Sequence, residues 1–254
     1  MKLKHPCQWA APQPYFKKGS AMLSKIKKYR HGFVIVGYLI VYLILFGYLE
    51  HRSVRAYHVV HTVFDDMIPF CEIFIIPYLL WFPYVILTVA YFLFLNKNKR
   101  EYFQLIFNLM MGMTVFLVVS YVYPNIQYLR PAVFPRNNIL TQLVACIYRS
   151  DTPTNILPSI HVFNSLAVYF AIRHCQALKN KKWIQIGSLI LSTLIVLSTM
   201  FIKQHSVIDV CLGTTLALFG HLLFYPQRVE EYDEQRAMSH IHKKNRKQNL
   251  EQNL

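Results

Sequence analysis

TNILPSIHVFNS, residues 154–165, places Ser159 and His161 where a long apolar segment begins. Ionisable side chains at membrane depth are costly, and they usually mark functional sites. A second histidine, His205, lies in KQHSVIDV, residues 203–210, where the last apolar segment begins. The fold depends on whether the helices between these two segments return the chain to the same side of a membrane.

The composition of the chain indicates a polytopic membrane protein. Its 254 residues are 54% hydrophobic and 15% aromatic, which is too apolar for an ordinary soluble domain. The net charge of +15 does not indicate a nucleic-acid partner, because the basic residues form short clusters between apolar runs and no nucleic-acid motif accompanies them. The five cysteines include no CxxC pair, so neither a zinc site nor a disulfide framework is predicted.

Hydropathy predicts an all-α bundle of about six transmembrane helices in a membrane domain over residues 33–225. The second predicted span carries Pro77 and Pro83, which should kink it unless neighbouring helices compensate. A basic tail (1–32) and a polar, disordered tail (226–254) flank this domain, and the basic tail is expected to contact anionic lipid headgroups. The predicted spans lie at about 33–49, 72–95, 103–122, 158–174, 183–202 and 206–225.

The distribution of basic residues predicts the orientation of the bundle. Twenty-one of the 27 lysines and arginines lie in the two tails and in the two loops that share their side in a six-span arrangement. The positive-inside rule therefore places both termini in the cytoplasm and the segments around His161 and His205 on the outer face. We expect an integral protein of the plasma membrane.

The residues near the two histidines form a candidate catalytic site. Asp209 follows His205 by four residues, so on a helix its carboxylate can accept a hydrogen bond from one imidazole nitrogen. The other nitrogen then keeps its lone pair, as a nucleophilic histidine requires. The common side and depth of His161 and His205 favour catalysis over separate structural roles.

The loop before the fourth predicted span supplies positive charge. Arg130 and Arg136 are candidates for binding phosphate oxygens, because a guanidinium matches two of them and stabilises additional negative charge. Ser159 and the first turn of the fourth span could donate further hydrogen bonds. Asp65 and Asp66 are assigned to an interfacial loop rather than to a metal site.

Three short motifs resemble the type 2 phosphatidic acid phosphatase superfamily, the membrane branch of the histidine phosphatases related to vanadium haloperoxidases. They are LRP (Leu129–Pro131), PSIH (Pro158–His161) and HSVID (His205–Asp209), in the order and spacing of that family. The resemblance implies a six-span bundle with its site at the outer face and no metal or other cofactor.

Three positions depart from the pattern of this family. Tyr123 stands in place of its lysine, Thr199 in place of the arginine of its third block, and Ile160 in place of its glycine between serine and histidine. Lys203 is a partial substitute for the missing cations, although an ammonium lacks the bidentate fork of a guanidinium. The reduced pattern is similar to the sphingomyelin synthase and inositol phosphorylceramide synthase branch.

The resemblance also implies a mechanism. His205 would attack phosphorus to form a phosphohistidine, His161 would protonate the leaving alkoxide, and Asp209 would orient His205. Water as the acceptor would make the protein a lipid phosphate phosphatase, and a lipid hydroxyl would make it a phosphotransferase. A non-catalytic protein that binds or transports anionic lipid is the third hypothesis. The expected partners are a lipid phosphate and the bilayer, and the oligomeric state is not predicted.

Overall fold

The computed structural model describes residues 29–226, and this part of the chain is almost entirely helical. The tails of residues 1–28 and 227–254, for which lipid contact and disorder were predicted, lie outside the described residues. Two short strands, β1 (His58–Val59) and β2 (Asn125–Ile126), accompany the helices. The α-helices are α1 (Phe33–His51), α2 (Val63–Met67), α3 (Ile75–Ala90), α4 (Lys99–Val122), α5 (Ile139–Ser150), α6 (Ile160–His174), α7 (Lys182–Phe201) and α8 (Val207–Phe224).

Five helical segments in residues 29–226 are long and apolar enough to cross a membrane. They correspond to five of the six predicted spans, and large apolar side chains are exposed along them, as expected for lipid-facing surfaces. They are Arg30–His51, Glu72–Leu95, Lys99–Val122, Lys182–Phe201 and Val207–Phe224.

The fourth predicted span, 158–174, corresponds to α6, which is short, with only 15 residues. At a rise of 1.5 Å per residue it is about 22 Å long, shorter than the roughly 30 Å hydrocarbon core. It begins after Pro158, where Ser159 caps its first turn, and ends before Cys175. Helices α4, α7 and α8 pack around α6, so it is the central helix of the bundle. It runs from the histidine pair to the opposite end, where His174 packs against His221 and Tyr225 at the end of α8.

The second predicted span is continuous despite its two prolines. A 3₁₀ turn (Glu72–Phe74) leads into α3, and a π-helical turn (Tyr91–Leu95) follows it. Pro77 lies in the first turn of α3, where its missing N–H removes little, and Pro83 lies inside the helix. The prediction of one span over 72–95 is confirmed.

Two glycines allow the neighbouring helices to approach α6 closely. A Cβ on Gly112 of α4 would lie 2.0 Å from the ring of Phe163, and a Cβ on Gly213 of α8 would lie 2.8 Å from the backbone oxygen of Ser159. A side chain at Gly213 would therefore displace the start of α6, next to His161. This close packing holds the first turns of α6 and α8 together.

The loops at one end of the bundle are tied to one another. β1 and β2 pair in parallel, with His58 opposite Asn125, and Ile126 forms a bridge with Thr154. Amphipathic helix α5, which hydropathy did not predict, begins at a capping box of Asn138 and Thr141 and packs its buried face on this end. The segments that precede α6 and α8 are thereby brought to the same end.

Candidate active site

His205 and Asp209 are in contact at the start of α8. His205 lies in the turn before the helix, and its Nδ1 is 3.3 Å from Oδ2 of Asp209. The backbone N–H of Ser206 also donates to this carboxylate oxygen, at 2.9 Å, so the acid is fixed from two directions. Since Nδ1 faces the carboxylate, Nε2 of His205 is the nitrogen that remains for chemistry.

His161 lies on the first turn of α6, between aromatic side chains of α3. The rings of Tyr78 and Trp81 lie 4.7 Å and 4.5 Å from its imidazole, measured between centroids. Its Nδ1 is buried and accepts or donates no hydrogen bond within residues 29–226. Contact with these two aromatic rings restricts the plane of the imidazole.

The two imidazoles face each other at a centroid distance of 5.6 Å. Both are largely buried, with 9% of His161 and 8% of His205 exposed, while Asp209 is fully buried. A hydrogen bond from Ser159 N–H to the carbonyl oxygen of Asp209 links the two helix starts, at 3.4 Å. The rings are thus close enough to act on the same phosphate group.

Arg130 reaches this site through Gln204. Its Nη2 donates to Oε1 of Gln204 at 2.6 Å and its Nη1 to the carbonyl oxygen of Tyr148 at 3.0 Å. The guanidinium also lies over the ring of Tyr148, 4.5 Å from its centroid. Burial lowers the pKa of Arg130, and the charge of Asp151 opposes that shift. Nε of Arg130 is buried and has no hydrogen-bond partner in the described part of the chain.

Asp151 adds a carboxylate that the motif analysis did not select. Its Oδ2 accepts a 3.4 Å hydrogen bond from Nε2 of Gln204, so one amide joins Asp151 to Arg130. Burial raises the pKa of Asp151, while the charges of His205 and Arg130 lower it. Asp151 therefore acts electrostatically on both the histidine and the guanidinium.

Ser159 serves as the N-cap of α6, since its hydroxyl accepts a 3.4 Å hydrogen bond from Val162 N–H. It is fully buried. Ser159 thus fixes the start of the helix that carries His161, and the phosphate contact expected from sequence stays a prediction.

Lys203 turns towards a different partner. Its backbone is in the left-handed region (φ 55°), and its Nζ donates to the carbonyl oxygen of Asp65 at 2.6 Å. Burial lowers the pKa of Lys203, and the carboxylates of Asp65 and Asp66 oppose this shift. The ammonium is therefore bound to the α2 segment rather than to the histidine pair.

Asp65 was assigned to an interfacial loop, but it lies in helix α2 and contacts the start of α8. It is 2% exposed and accepts hydrogen bonds from the Ser206 hydroxyl at 2.7 Å and from Val207 N–H at 2.8 Å. Burial alone would raise the pKa of Asp65, but these hydrogen bonds and those from Thr62 outweigh it and lower the pKa. Asp65 thus anchors the first turn of α8, immediately after His205.

Arg136 is also held away from the histidines. Its Nη1 lies 2.9 Å from Oε1 of Glu72, and its side chain is 67% exposed. The hydrogen bond to Glu72 raises the pKa of Arg136. The structure brings together His161, His205, Asp209 and Ser159. It joins Arg130 to Gln204, the residue before His205, and gives Arg136 and the Lys203 amine other partners.

The two residues that stand in place of the family's cations make contacts of their own. Tyr123 stacks on His58 at 4.0 Å, at the end of the bundle near β1. The carbonyl oxygen of Thr199 accepts hydrogen bonds from the backbone N–H groups of Gln204 (2.9 Å) and His205 (3.0 Å). Thr199 therefore shapes the turn that presents His205 through its backbone, although its side chain carries no charge.

Sequence reasoning missed Tyr78, Trp81, Asp151 and Gln204. Gln204 directly precedes His205, and Asp151 lies three residues before Thr154, where the segment that carries His161 was quoted. Proximity along the chain could therefore have identified both as site residues. Tyr78 and Trp81 are three residues apart on an apolar helix, a spacing that is ordinary for packing. Only the packing of α3 against α6 shows that these two side chains contact His161.

No group of three or more histidine, cysteine, aspartate or glutamate side chains within residues 29–226 is arranged to hold a metal ion. The four described cysteines, Cys71, Cys146, Cys175 and Cys211, are free thiols.

The long apolar helices and the histidine pair at one end of the bundle define an all-α membrane protein with a candidate site for phosphate chemistry. The family model of the PAP2 superfamily matches residues 101–233, more than half of the chain. The chain therefore belongs to the PAP2 superfamily, whose members are phosphoric ester hydrolases or phosphotransferases. No curated protein and no solved structure matches the chain.

Proposed function

We propose that the protein is a lipid phosphate phosphatase that cleaves a phosphomonoester or pyrophosphate headgroup through a phosphohistidine. Nε2 of His205 attacks phosphorus, a P–N bond forms, and the P–O bond to the leaving oxygen breaks. The leaving group is an alkoxide from a phosphomonoester and a phosphate from a pyrophosphate. His161 gives its proton to the leaving oxygen, while Asp209 stabilises the cationic ring of His205. Arg130 binds the phosphate oxygens, whose negative charge increases as phosphorus is attacked.

The second half of the reaction returns the enzyme to its starting state. His161, now neutral, takes a proton from a water molecule that attacks phosphorus on the opposite side from His205. The P–N bond breaks, inorganic phosphate leaves, and His161 again carries the proton needed for the next leaving group. Over one cycle a single proton and a single phosphoryl group pass from the substrate and water to the products, and both histidines return to their starting state.

One observation carries this proposal: the His161 and His205 rings lie 5.6 Å apart, with Asp209 bonded to His205, inside the region that matches the PAP2 superfamily. The outward orientation of the site belongs to the same proposal and is supported by the basic residues near the opposite end of the bundle. We place the protein in the plasma membrane, with cytoplasmic termini.

Phosphate release from a panel of lipid phosphates, measured with purified protein in mixed detergent micelles, tests this function. The panel includes phosphomonoesters, pyrophosphates and phosphodiesters, each with and without a lipid alcohol as acceptor. Free phosphate that depends on His205 supports the phosphatase. If phosphate release from every donor is the same for the wild type and for His205→Ala, no turnover depends on His205. That result would instead support a non-catalytic protein that binds or transports anionic lipid.

A lipid phosphotransferase is the second candidate, and the position of Asp151 favours it. This carboxylate interacts with both Arg130 and His205, so it opposes a doubly charged phosphomonoester more than a singly charged phosphodiester. A phosphodiester donor would place its phospho-headgroup on His205, and His161 would then deprotonate a lipid hydroxyl in place of water. The product would be a new phospholipid.

Asp151→Asn distinguishes the two candidates. Removing one negative charge should raise turnover of phosphomonoesters relative to phosphodiesters by about tenfold, since Asp151 is half-buried and partly screened. The matched control is Asp66→Asn, because Asp66 is an exposed carboxylate that pairs with His61. An unchanged ratio in Asp151→Asn would remove the electrostatic argument for the phosphotransferase.

A further inference from the structure

Asp65 on helix α2 contacts the chain on both sides of His205. Its backbone carbonyl oxygen accepts a 2.6 Å hydrogen bond from Nζ of Lys203, two residues before the histidine. Its carboxylate accepts hydrogen bonds from the Ser206 hydroxyl at 2.7 Å and from the Val207 N–H at 2.8 Å, directly after the histidine. A single residue therefore binds both ends of the turn that presents His205 to the site.

The turn that carries His205 depends on contacts from outside itself. The carbonyl oxygen of Thr199 accepts hydrogen bonds from the N–H groups of Gln204 and His205, and these two bonds end at the histidine. The backbone of Lys203 lies in the left-handed region, at φ 55°, which is unfavourable for a residue with a Cβ and persists where surrounding contacts maintain it. The hydrogen bond from the Lys203 amine to Asp65 supplies such a contact.

The α2 carboxylate is fixed before it contacts α8. The N–H and hydroxyl groups of Thr62 donate to its Oδ2 at 2.7 Å and 3.0 Å, as part of the capping box of α2. On one side of α2, Val60 N–H donates to the carbonyl oxygen of Ile126 at 2.8 Å. On the other side, Cys71 N–H donates to the carbonyl oxygen of Phe201 at 3.0 Å. The short helix is thus bonded to the bundle at both ends and provides a fixed support for the start of α8.

The backbone position of His205 matters because its nucleophilic nitrogen must lie in line with phosphorus and the leaving oxygen. Asp209 lies 3.3 Å from Nδ1 and so orients the ring. Asp65 bonds the residues on either side and so determines where that ring is attached. Asp65 also precedes residues 101–233, which match the PAP2 superfamily, so this support comes from outside the matched region.

We propose that Asp65 is a positioning residue for the nucleophile, and that the Lys203 amine completes the same support instead of binding phosphate. The inference rests on the proposed function, because it assigns what places the nucleophile of that reaction. With both contacts formed, the imidazole of His205 is held at one distance from that of His161, 5.6 Å between centroids. The phosphate oxygens are then bound by Arg130, not by Lys203.

Asp65→Asn tests the proposal with purified protein in mixed micelles and a short-chain phosphatidic acid labelled in its phosphate. In the variant an NH₂ group replaces one oxygen and faces donors of α8, so the turn should loosen. We expect the rate constant of phosphohistidine formation to fall by about 10- to 100-fold, the effect of misplacing a reacting group by about 1 Å. Half-saturation by the donor should stay within about twofold, because Arg130 is unchanged. The matched control is Asp66→Asn, which alters an exposed neighbour on α2 and should change neither quantity.

Lys203→Met separates positioning from phosphate binding, because it removes the amine and keeps an unbranched side chain. The proposal predicts a lower rate constant with unchanged half-saturation. An unchanged rate constant with half-saturation raised about tenfold would show that the amine binds phosphate, and would overturn the proposal. In either variant, a lower labelled fraction at an unchanged rate constant would also overturn it, since part of the protein would be unfolded while the remainder kept an intact site.

Amide hydrogen exchange gives a readout that needs no turnover. Without donor, exchange of the Val207 amide should be at least about tenfold faster in Asp65→Asn than in the wild type and in Asp66→Asn, because its acceptor is altered. Equal exchange in the three proteins would overturn the proposal. A wild type that shows the expected exchange difference from Asp65→Asn but acquires no label would instead contradict the proposed function.

Discussion

Replacing His205 by alanine should lower turnover by at least about 10⁴-fold, because His205 is the group that forms the covalent intermediate in the proposed mechanism. His205 Nδ1 faces Asp209, and its ring lies 5.6 Å from that of His161. The backbone N–H of His205 still bonds Thr199 in the variant, so the turn before α8 should persist. The measurement is phosphate release under single-turnover and steady-state conditions.

The matched control for this variant is His61→Ala. His61 lies at the same end of the bundle, is exposed, and pairs with Asp66 rather than with the site. We expect its turnover to stay within about twofold of the wild type. Brief incubation with a donor labelled in the phosphate, followed by an alkaline quench, should leave covalent label on the wild type and on His61→Ala. Label of equal intensity on His205→Ala would exclude His205 as the nucleophile.

Replacing Arg130 by alanine should lower kcat/KM by about 10²–10³-fold, the usual effect of removing one donor that stabilises transition-state charge. Arg130 is held by Gln204 and by the carbonyl oxygen of Tyr148, so its guanidinium is positioned before substrate arrives. Arg130→Lys should recover only part of the loss, because an ammonium keeps the charge but lacks the planar fork. Kinetics with one donor across the three proteins measures both effects.

Arg149→Ala is the control for charge alone, since Arg149 is an exposed arginine near the end of α5, next to Tyr148. Its kcat/KM should remain within about twofold of the wild type. An equal loss in Arg130→Ala and Arg149→Ala would indicate a general effect of net charge on anionic lipid binding. Full activity in Arg130→Lys would show that the geometry of the fork is unimportant.

The sequence determined the class of protein and the position of its helices. Runs of apolar residues about 20 long are needed to cross a bilayer, so composition alone predicts long helices near the observed bounds. The motifs around Arg130, His161 and His205 are likewise local patterns, and the PAP2 match covers all three. These features depend on neighbouring residues, which is why they could be identified without coordinates.

Packing between distant segments decided the rest. Hydropathy located α6 but could not show that it is the central helix, because an apolar run does not reveal whether it faces lipid or other helices. Lys203 and Arg136 were expected at the phosphate, yet the backbone carbonyl of Asp65 binds the first and the carboxylate of Glu72 the second. Helix α2 and the 3₁₀ turn before α3 bring these two partners near. The polar set of Arg130, Gln204 and Asp151 joins three loops that are separate in sequence. Hydrogen bonds and charge effects act over a few ångströms, so only the tertiary structure determines which of these side chains meet.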